Sequence, residues 1–330
     1  MCIVRGNPLV ANCTFIMNWS GGGGGLCNIN SAPTVSNCTF VGNYGYGGGV
    51  YNEESSPVVS GCTFSINNAL AGGGMYDTNS SPIVSNCTLS GNRAYFGGGI
   101  YCEEGSCGTV KDSIIKDNLA NWGGGVYCHR SSLTIETTII MDNKASPGPT
   151  GFTGHGGGIF CSYSHLTIAD GVIARNQATE IGGAISSNSS ELLLVNNVVG
   201  GNEAIGWRSP GLDAGIFCSG SGTLINNTIL GNRARGYTGP RGYAPGEGGG
   251  IRCWGGGSEL VMVNCLVREN RPNQVEASDD PNVQIAYSDI DGGWAGVGNI
   301  DADPCFAQAG YWDPNATHED ANDDFWVDGE

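Results

Sequence analysis

One short pattern recurs along most of this chain and limits the folds it can adopt. An apolar residue is followed three positions later by an asparagine, first at Phe15 and Asn18, and the pair returns every 24 to 38 residues as far as Val267 and Asn270. Between these pairs stands a second motif, three glycines followed by an apolar and an aromatic residue, as in Gly123 to Tyr127. Each period therefore holds three short segments of strand-like alternation separated by turn residues. The asparagines are Asn18, Asn43, Asn67, Asn92, Asn118, Asn143, Asn176, Asn202, Asn232 and Asn270.

The length of the period selects one architecture among repeat folds. Three short strands in about 25 residues are typical of one rung of a parallel β-helix, whereas a propeller blade needs four strands and about 40 residues. No segment has a glycine-free helical period, and parallel crossovers are right-handed. The sequence therefore predicts an all-β, right-handed, single-stranded parallel β-helix of about 10–11 rungs, with Ile290 in the eleventh rung and an irregular acidic C-terminal cap.

Stacked rungs turn repeated positions into columns. Because neighbouring rungs lie about 4.8 Å apart, we expect the Phe, Ile and Val column to fill the interior and the asparagines to form a ladder of side-chain amides. The residue after the inward apolar position of the glycine motif should form an outward aromatic stripe that covers the sheet. Its members are Tyr51, Tyr76, Tyr101, Tyr127, Phe160 and Phe217.

Charge is distributed unevenly along the 330 residues. The net charge is −17, which excludes nucleic acid and anionic membrane surfaces as expected partners. All 14 basic residues and 17 of the 31 acidic residues lie in residues 1–275, which carry −3, and the other 14 acidic residues lie in 276–330. The sequence contains no run of 18 apolar residues, so it predicts no membrane-spanning helix. We assign residues 1–273 to the β-helix and 274–330 to the last rung and an acidic cap.

The first residues align with the middle of a later rung. Asn7 to Cys13 match Ala32 to Cys38, so the chain begins inside a rung, and Met1 to Arg5 have no features of a secretory signal. We therefore expect a fragment of a longer protein whose export signal lies upstream.

The two motifs together resemble those of a known family. Phe-x-x-Asn paired with Gly-Gly-(Ala/Gly)-(Ile/Val/Leu) resembles the repeat of the chlamydial polymorphic membrane proteins and, more broadly, the pectin-lyase-like β-helix families of secreted bacterial proteins, over about residues 7–270. The resemblance implies an extracellular or cell-surface location and an adhesin-like or passenger-type stalk without catalysis. The implied partner is a polysaccharide or a host or cell-surface glycan. The alternative is a polysaccharide lyase or glycoside hydrolase of the same fold.

Three insertions lengthen individual rungs at one position, after the asparagine and before the glycine run. They are Ser146 to Gly154, Ile205 to Leu212 and Ala234 to Gly246, and they should emerge from one edge of the stack. Aromatic rings with arginines suit stacking on sugar rings or a peptide, and Trp207 beside Arg208 suits an acidic sugar. Self-packed surface loops are the equal alternative. The predicted ligand-binding residues are Phe152, His155, Trp207, Arg208, Tyr237, Arg241 and Tyr243.

A catalytic site would need ionisable side chains on adjacent rungs. Lyases of this fold need a base beside acidic calcium ligands, and hydrolases need paired carboxylates. The cluster that best matches these requirements lies in one turn of neighbouring rungs. Its residues are more simply interpreted as solvated side chains of a surface turn. These weak catalytic candidates are Asp77, Glu103, Glu104, His129 and Arg130.

The 14 cysteines fall mainly in two columns that should point inward as unpaired thiols. The best disulfide candidate is Cys102 with Cys107, which would close a four-residue loop. Asp320, Asn322 and Asp324 alternate as the ligands of a calcium loop do, although Phe325 stands where such a loop has glycine. They are therefore candidate calcium ligands. No other cofactor is expected.

Overall fold

The computed structural model describes residues 1–147, 154–206, 212–239 and 242–305, together with the backbone of two strands beyond them. The chain coils into a parallel β-helix, because every strand of the repeat pairs in parallel with its counterpart one rung later. The predicted all-β fold is confirmed. The described residues contain no helix of the length and hydropathy that a membrane span requires.

The first face of the coil is built by the strand that follows each glycine run. An inward apolar residue alternates with an outward aromatic one, so that Val126 is buried in the core while Tyr127 lies on the other side. Two long strands run on into the second face. The strands are Cys2–Val4, Leu26–Ile29, Val50–Glu53, Met75–Thr78, Ile100–Glu103, Val126–His129, Ile159–Ser162, Ile185–Val195, Ile216–Ile225, Ile251–Trp254 and Val275–Ser278.

The second face carries the short Val- and Ile-rich segment. Its three-residue strands bury one inward residue, as at Val35 and Val59, and its longer strands bury two, as at Leu133 and Ile135. Its strands, apart from the two long ones, are Leu9–Ala11, Thr34–Ser36, Val58–Ser60, Ile83–Ser85, Cys107–Lys111, Ser132–Glu136, His165–Ala169, Glu259–Val263 and Asn282–Ala286.

The third face is a sheet of eleven strands and contains the Phe, Ile and Val column. Phe15, Phe40 and Phe64 stack with ring centroids 4.8 Å apart, which is the spacing of the rungs. Ile290 pairs with Val267, so the eleventh rung is confirmed. The strands are Thr14–Ile16, Thr39–Val41, Thr63–Ser65, Thr88–Ser90, Ile114–Lys116, Ile139–Met141, Val172–Ala174, Val198–Gly200, Thr228–Leu230, Leu266–Arg268 and Asp289–Ile290.

Short two-residue strands form a fourth side between the asparagine and the glycine run. They are followed by the turn that returns the chain to the first face. They are Tyr44–Gly45, Asn68–Ala69, Leu119–Ala120, Lys144–Ala145, Gln177–Ala178, Glu203–Ala204 and Arg233–Ala234. Two antiparallel hairpins complete the described strands, Tyr237–Gly239 with Gly242–Ala244 and Tyr311–Asp313 with Phe325–Val327.

The asparagine ladder forms as predicted. From Asn18 to Asn270, each Nδ2 atom donates to the Oδ1 atom of the asparagine one rung later at 2.8–3.0 Å. The same Oδ1 atoms accept the backbone N–H groups at this corner, as Asn143 does from Asn118. Gln274 ends the ladder by accepting from Asn270 Nδ2 at 2.9 Å. The ladder therefore satisfies backbone groups that are buried at every turn.

The cysteines of the two repeated columns are mostly buried free thiols, as predicted. The proposed bridge between Cys102 and Cys107 is not formed, and both thiols are free. Cys102 is 1% exposed and faces the interior, whereas Cys107 is exposed on the surface. The two side chains leave the backbone on opposite sides, because the turn between them separates an inward from an outward position.

After the last strands of the stack, residues 291–305 of the acidic segment continue mainly as turns, bends and irregular backbone. Asn299 continues the corner of the stack, since its Oδ1 atom accepts from Ser288 N at 3.0 Å and its Nδ2 atom donates to Ile285 O at 2.9 Å. Arg268 forms an ion pair with Asp289 at 2.9 Å and with Asp301 at 3.2 Å. Ion pairs with Arg268 therefore connect the acidic segment to the body of the β-helix.

Candidate functional site

The aromatic stripe on the first face forms as a stack of rings. From Tyr76 through Tyr101 and Tyr127 to Phe160, neighbouring ring centroids lie 4.9–5.1 Å apart, with planes within 23° of each other. The predicted outward stripe is confirmed for these four rings, whereas Tyr51 is tilted by 57° to Tyr76 and Phe217 has no stripe ring on either neighbouring rung. Ser186 interrupts the stripe in the rung after Phe160.

A second column of side chains rises beside the stripe. Phe96, Trp122 and His155 stand in register on successive rungs, at the turn just before each glycine run. Phe96 lies 5.8 Å from the rings of Tyr101 and Tyr127, which leaves Tyr101 5% and Tyr127 4% exposed. The second column therefore covers these rings in one apolar cluster, and we call the surface that runs along this column the channel.

The channel widens into a depression of about 300 Å³, which we call the aromatic groove. Stacked rings form the floor, the column at the turn forms one wall, and the following corner forms the other. Tyr163 on that second wall is 60% exposed and lies 6.3 Å from the ring of His129. The principal side chains of the groove are Trp122, Tyr127, His129, His155, Phe160 and Tyr163.

Polar groups are placed within the aromatic groove. His129 Nδ1 lies 2.8 Å from Ser162 Oγ, and Tyr127 Oη lies 3.3 Å from the same hydroxyl. Burial, followed by the charge of Arg130, lowers the pKa of His129, so its imidazole is neutral at pH 7. Across the groove, His155 Nε2 lies 3.4 Å from Glu180. The arrangement combines planar apolar surface with hydrogen-bonding groups at its rim.

Further along the same channel lies a smaller depression of about 230 Å³, which we call the acid pocket. Ile181, Leu212 and Glu247 continue the column that contains Trp122 and His155. Its floor follows the register of the stripe, where Arg252 pairs with Phe217. The pocket is lined by Ile181, Leu212, Asp213, Phe217, Glu247, Arg252 and Trp254.

Asp213 occupies an unusual position in the acid pocket. It stands where the neighbouring rungs carry Gly182 and Gly248, and it shares their left-handed backbone, with φ +62° against +68° and +60°. Its side chain is 0% exposed, and neither carboxylate oxygen has a hydrogen-bond partner among the described residues. A Cβ atom at Gly248 would lie 2.1 Å from Asp213 Oδ1, so this carboxyl needs a glycine beside it. Burial raises the pKa of Asp213 well above its ordinary value.

A third depression, of about 730 Å³, lies at the corner between the first and second faces. Serines and glycines line most of it, and His165 and Glu191 form an exposed ion pair at 3.0 Å on its floor. This corner is polar and solvated, and it contains no buried ionisable group.

Four of the five catalytic candidates lie together on adjacent rungs, where Glu103 pairs in register with His129, whereas Asp77 does not join them. Asp77 points into the core and is 1% exposed, so it cannot act beside the others. Glu103 receives a hydrogen bond from Tyr76 at 2.5 Å on the outer side of the first face. Glu104 and Arg130 form an exposed ion pair at 3.3 Å, and His129 lies in the aromatic groove. The predicted cluster therefore lacks Asp77, because alternation along the strand places this side chain on the opposite side of the sheet.

Most of the predicted ligand-binding and calcium residues lie outside the described side chains. His155 alone is described, and it lines the aromatic groove. The described residues on either side of each insertion belong to the short strands of the fourth side and to the column of His155, Leu212 and Glu247. The undescribed side chains are those of Phe152, Trp207, Arg208, Tyr237, Arg241, Tyr243, Asp320, Asn322 and Asp324.

The acid pocket was missed by sequence reasoning, although a signal was present. Asp213-Ala214-Gly215-Ile216 is a diverged copy of the glycine motif, with a carboxylate at the position that requires a left-handed backbone. Arg252 likewise replaces the aromatic residue of the stripe. A departure from an otherwise regular repeat marks a place where another requirement overrides the stacking rule.

The family of the chain follows from comparison with known sequences. The family described as "Right handed beta helix region" matches residues 4–163 and 65–199, which together span more than half of the chain. Among curated proteins, none matches the chain. The chain belongs to the right-handed β-helix family, whose fold its parallel rungs display.

Proposed function

We propose that this chain is a secreted or surface-displayed β-helix stalk that binds a glycan in the aromatic groove without cleaving it. The observation that carries the proposal is the groove itself, where the partly buried Trp122 and the exposed Tyr163 flank the nearly buried rings of Tyr127 and Phe160. Aromatic faces with a few polar groups at the rim suit sugar rings, which have an apolar face and a hydroxyl edge.

The geometry of the groove favours an extended ligand. Equivalent positions repeat at about 4.8 Å along the stack. The column that begins at Trp122 continues for four more rungs and reaches Glu247. A polymer lying along this column meets the aromatic groove and the acid pocket in sequence. In the sequence, the three insertions all fall after the asparagine and before the glycine run, and insertions at one face of a repeat protein often mark its binding face.

A direct test uses two tyrosines in matched settings. Tyr163 is 60% exposed in the groove and Tyr287 is 61% exposed in the last rung, and both have φ of +52°. We expect a glycan array to identify a bound glycan. Tyr163→Ala should then weaken its affinity about tenfold, which is about 1.4 kcal/mol, and Tyr287→Ala should leave it unchanged. A blank array, or equal effects of the two substitutions, would remove the proposal.

A second candidate function, cleavage of a polysaccharide, is favoured by one observation. Asp213 is a buried carboxyl with a raised pKa, next to the carboxylates of Glu247 and Glu276 around Arg252. A protonated acid near an ionised carboxylate is the pairing that glycoside hydrolysis uses. Release of reducing ends, or of unsaturated products that absorb in the ultraviolet, from a panel of polysaccharides would support cleavage. Absence of both products in the presence of bound glycan would support binding alone.

A further inference from the structure

The charges around the acid pocket do not balance. Arg252 faces the carboxylates of Asp213, Glu247 and Glu276 from the neighbouring rungs. Its Nη1 atom lies 2.8 Å from Glu247 and 3.9 Å from Asp213, and its Nε atom lies 3.5 Å from Glu276. Glu276 also accepts from Gly248 N at 2.9 Å. One guanidinium group therefore faces three carboxyl groups, and it lies closest to those of Glu247 and Glu276.

Of the three carboxyl groups, that of Asp213 lies farthest from Arg252. It is fully buried and lines the pocket, and its two oxygens accept no hydrogen bond from the described residues. A buried polar atom without a partner is costly, and in native proteins it calls for a ligand, water or ion that supplies the missing bond. Since burial favours the protonated form of this carboxyl, a positive group placed beside it would supply the missing partner and favour the ionised form.

The remaining walls of the pocket also suit a positive group. Phe217 and Trp254 lie with ring centroids 6.4 Å apart, and Trp254 is 42% exposed. Aromatic faces attract cations through the negative charge of their ring surfaces. Among the described residues an anionic ligand finds no unpaired cation here, because Arg252 Nη1 lies 2.8 Å from Glu247, although the Nε atom of Arg252 has no hydrogen-bond partner.

We propose that the acid pocket binds the primary ammonium group of an amino sugar, so that the glycan of this β-helix carries free amino groups. The inference rests on the proposed glycan-binding function and specifies the class of sugar. Asp213 accepts hydrogen bonds from the ammonium group, while Trp254 covers one side of it. The aromatic groove, on the same channel, holds sugar rings of the same polymer by their apolar faces.

The test compares oligomers of glucosamine and of N-acetylglucosamine of equal length, which differ in the charge of the amino group. Titration calorimetry of the full chain at pH 6 should show at least tenfold tighter binding of the free-amine oligomer. Asp213→Asn keeps the size of the side chain and tolerates the left-handed backbone. It should weaken binding of the free-amine oligomer about tenfold and leave the acetylated oligomer unaffected.

A second pair of variants guards against misfolding. Trp254→Ala should weaken binding of the free-amine oligomer several-fold, whereas Trp19→Ala, which removes an exposed ring in the first rung, should have no effect. Equal affinity for the two oligomers, or an unchanged preference in Asp213→Asn, would overturn the inference while leaving glycan binding intact. If no oligosaccharide of either type or from the array binds, both the inference and the proposed function fail.

Discussion

A carboxyl group inside the β-helix should make its stability depend on pH. Asp77 lies in an interior column with Asn52 and Cys102 on the adjoining rungs. Asn52 Nδ2 donates to Asp77 Oδ1 at 2.6 Å, and the Cys102 thiol lies 3.9 Å from Oδ2. Asn28 extends the chain of bonds by donating to Asn52 at 2.7 Å. Burial raises the pKa of Asp77 from 3.8 to about 7, and these two hydrogen bonds only partly oppose the rise.

The sign of the effect follows from which state holds the proton. Between pH 4 and pH 7 the unfolded chain has lost the proton of Asp77 and the folded protein keeps it. The contribution to stability is therefore complete below pH 4 and is lost as the pH rises to about 7. At about 1.4 kcal/mol for each pH unit, the interval from 3.8 to about 7 gives about 4 kcal/mol.

Asp77→Asn tests this reasoning, because an amide fits a column that already contains Asn28 and Asn52. Denaturant unfolding from pH 4 to pH 8 should show equal free energies of unfolding for variant and wild type at pH 4. At pH 8 the variant should be more stable by about 4 kcal/mol. Asp170→Asn, at an exposed turn, controls for removing one surface carboxylate. A difference between Asp77→Asn and wild type that does not grow with pH would refute the argument.

Three other predictions concern the stack. Asn143→Ala should lower the free energy of unfolding by about 3 kcal/mol or more, because it leaves buried donors of the ladder without acceptors. Asn282→Ala, at an exposed position, should lower it by under about 1 kcal/mol. Denaturant unfolding measures both values. Ile140→Asp should lower the melting temperature far more than Thr88→Asp, because only the first places a charge in the core, and the reverse order would contradict the assigned faces. A thiol reagent should modify four of the 14 cysteines in the native protein, and modification of more than four before unfolding would contradict the buried columns. The four reactive cysteines are Cys2, Cys13, Cys107 and Cys305.

The fold was predictable because each rung repeats the same solution. A single apolar column from Phe15 to Ile290 and a single amide column ending at Asn270 determine which side of each strand faces inward. Every period adds the same evidence, so an error at one rung does not disturb the next. The aromatic stripe followed from the same alternation at Tyr101 and Tyr127.

The candidate site was harder to predict because it depends on departures from the repeat. Asp77 looks like a surface carboxylate in the sequence, and only the register of its strand places it inside with Cys102. Asp213 looks like a loop residue until it is aligned with Gly182 and Gly248. The depth of the aromatic groove depends on how far Trp122 leans over the stripe, which is a matter of side-chain packing that periodicity does not encode.

The most direct test of the central claim is a crystal structure of the chain with a bound oligosaccharide from the array. The account predicts sugar rings along the channel, with one ring against Tyr163 and Trp122 and the chain of sugars running towards Asp213. Ordered sugar density on another face, such as the serine-lined corner at His165, with the channel empty, would contradict it.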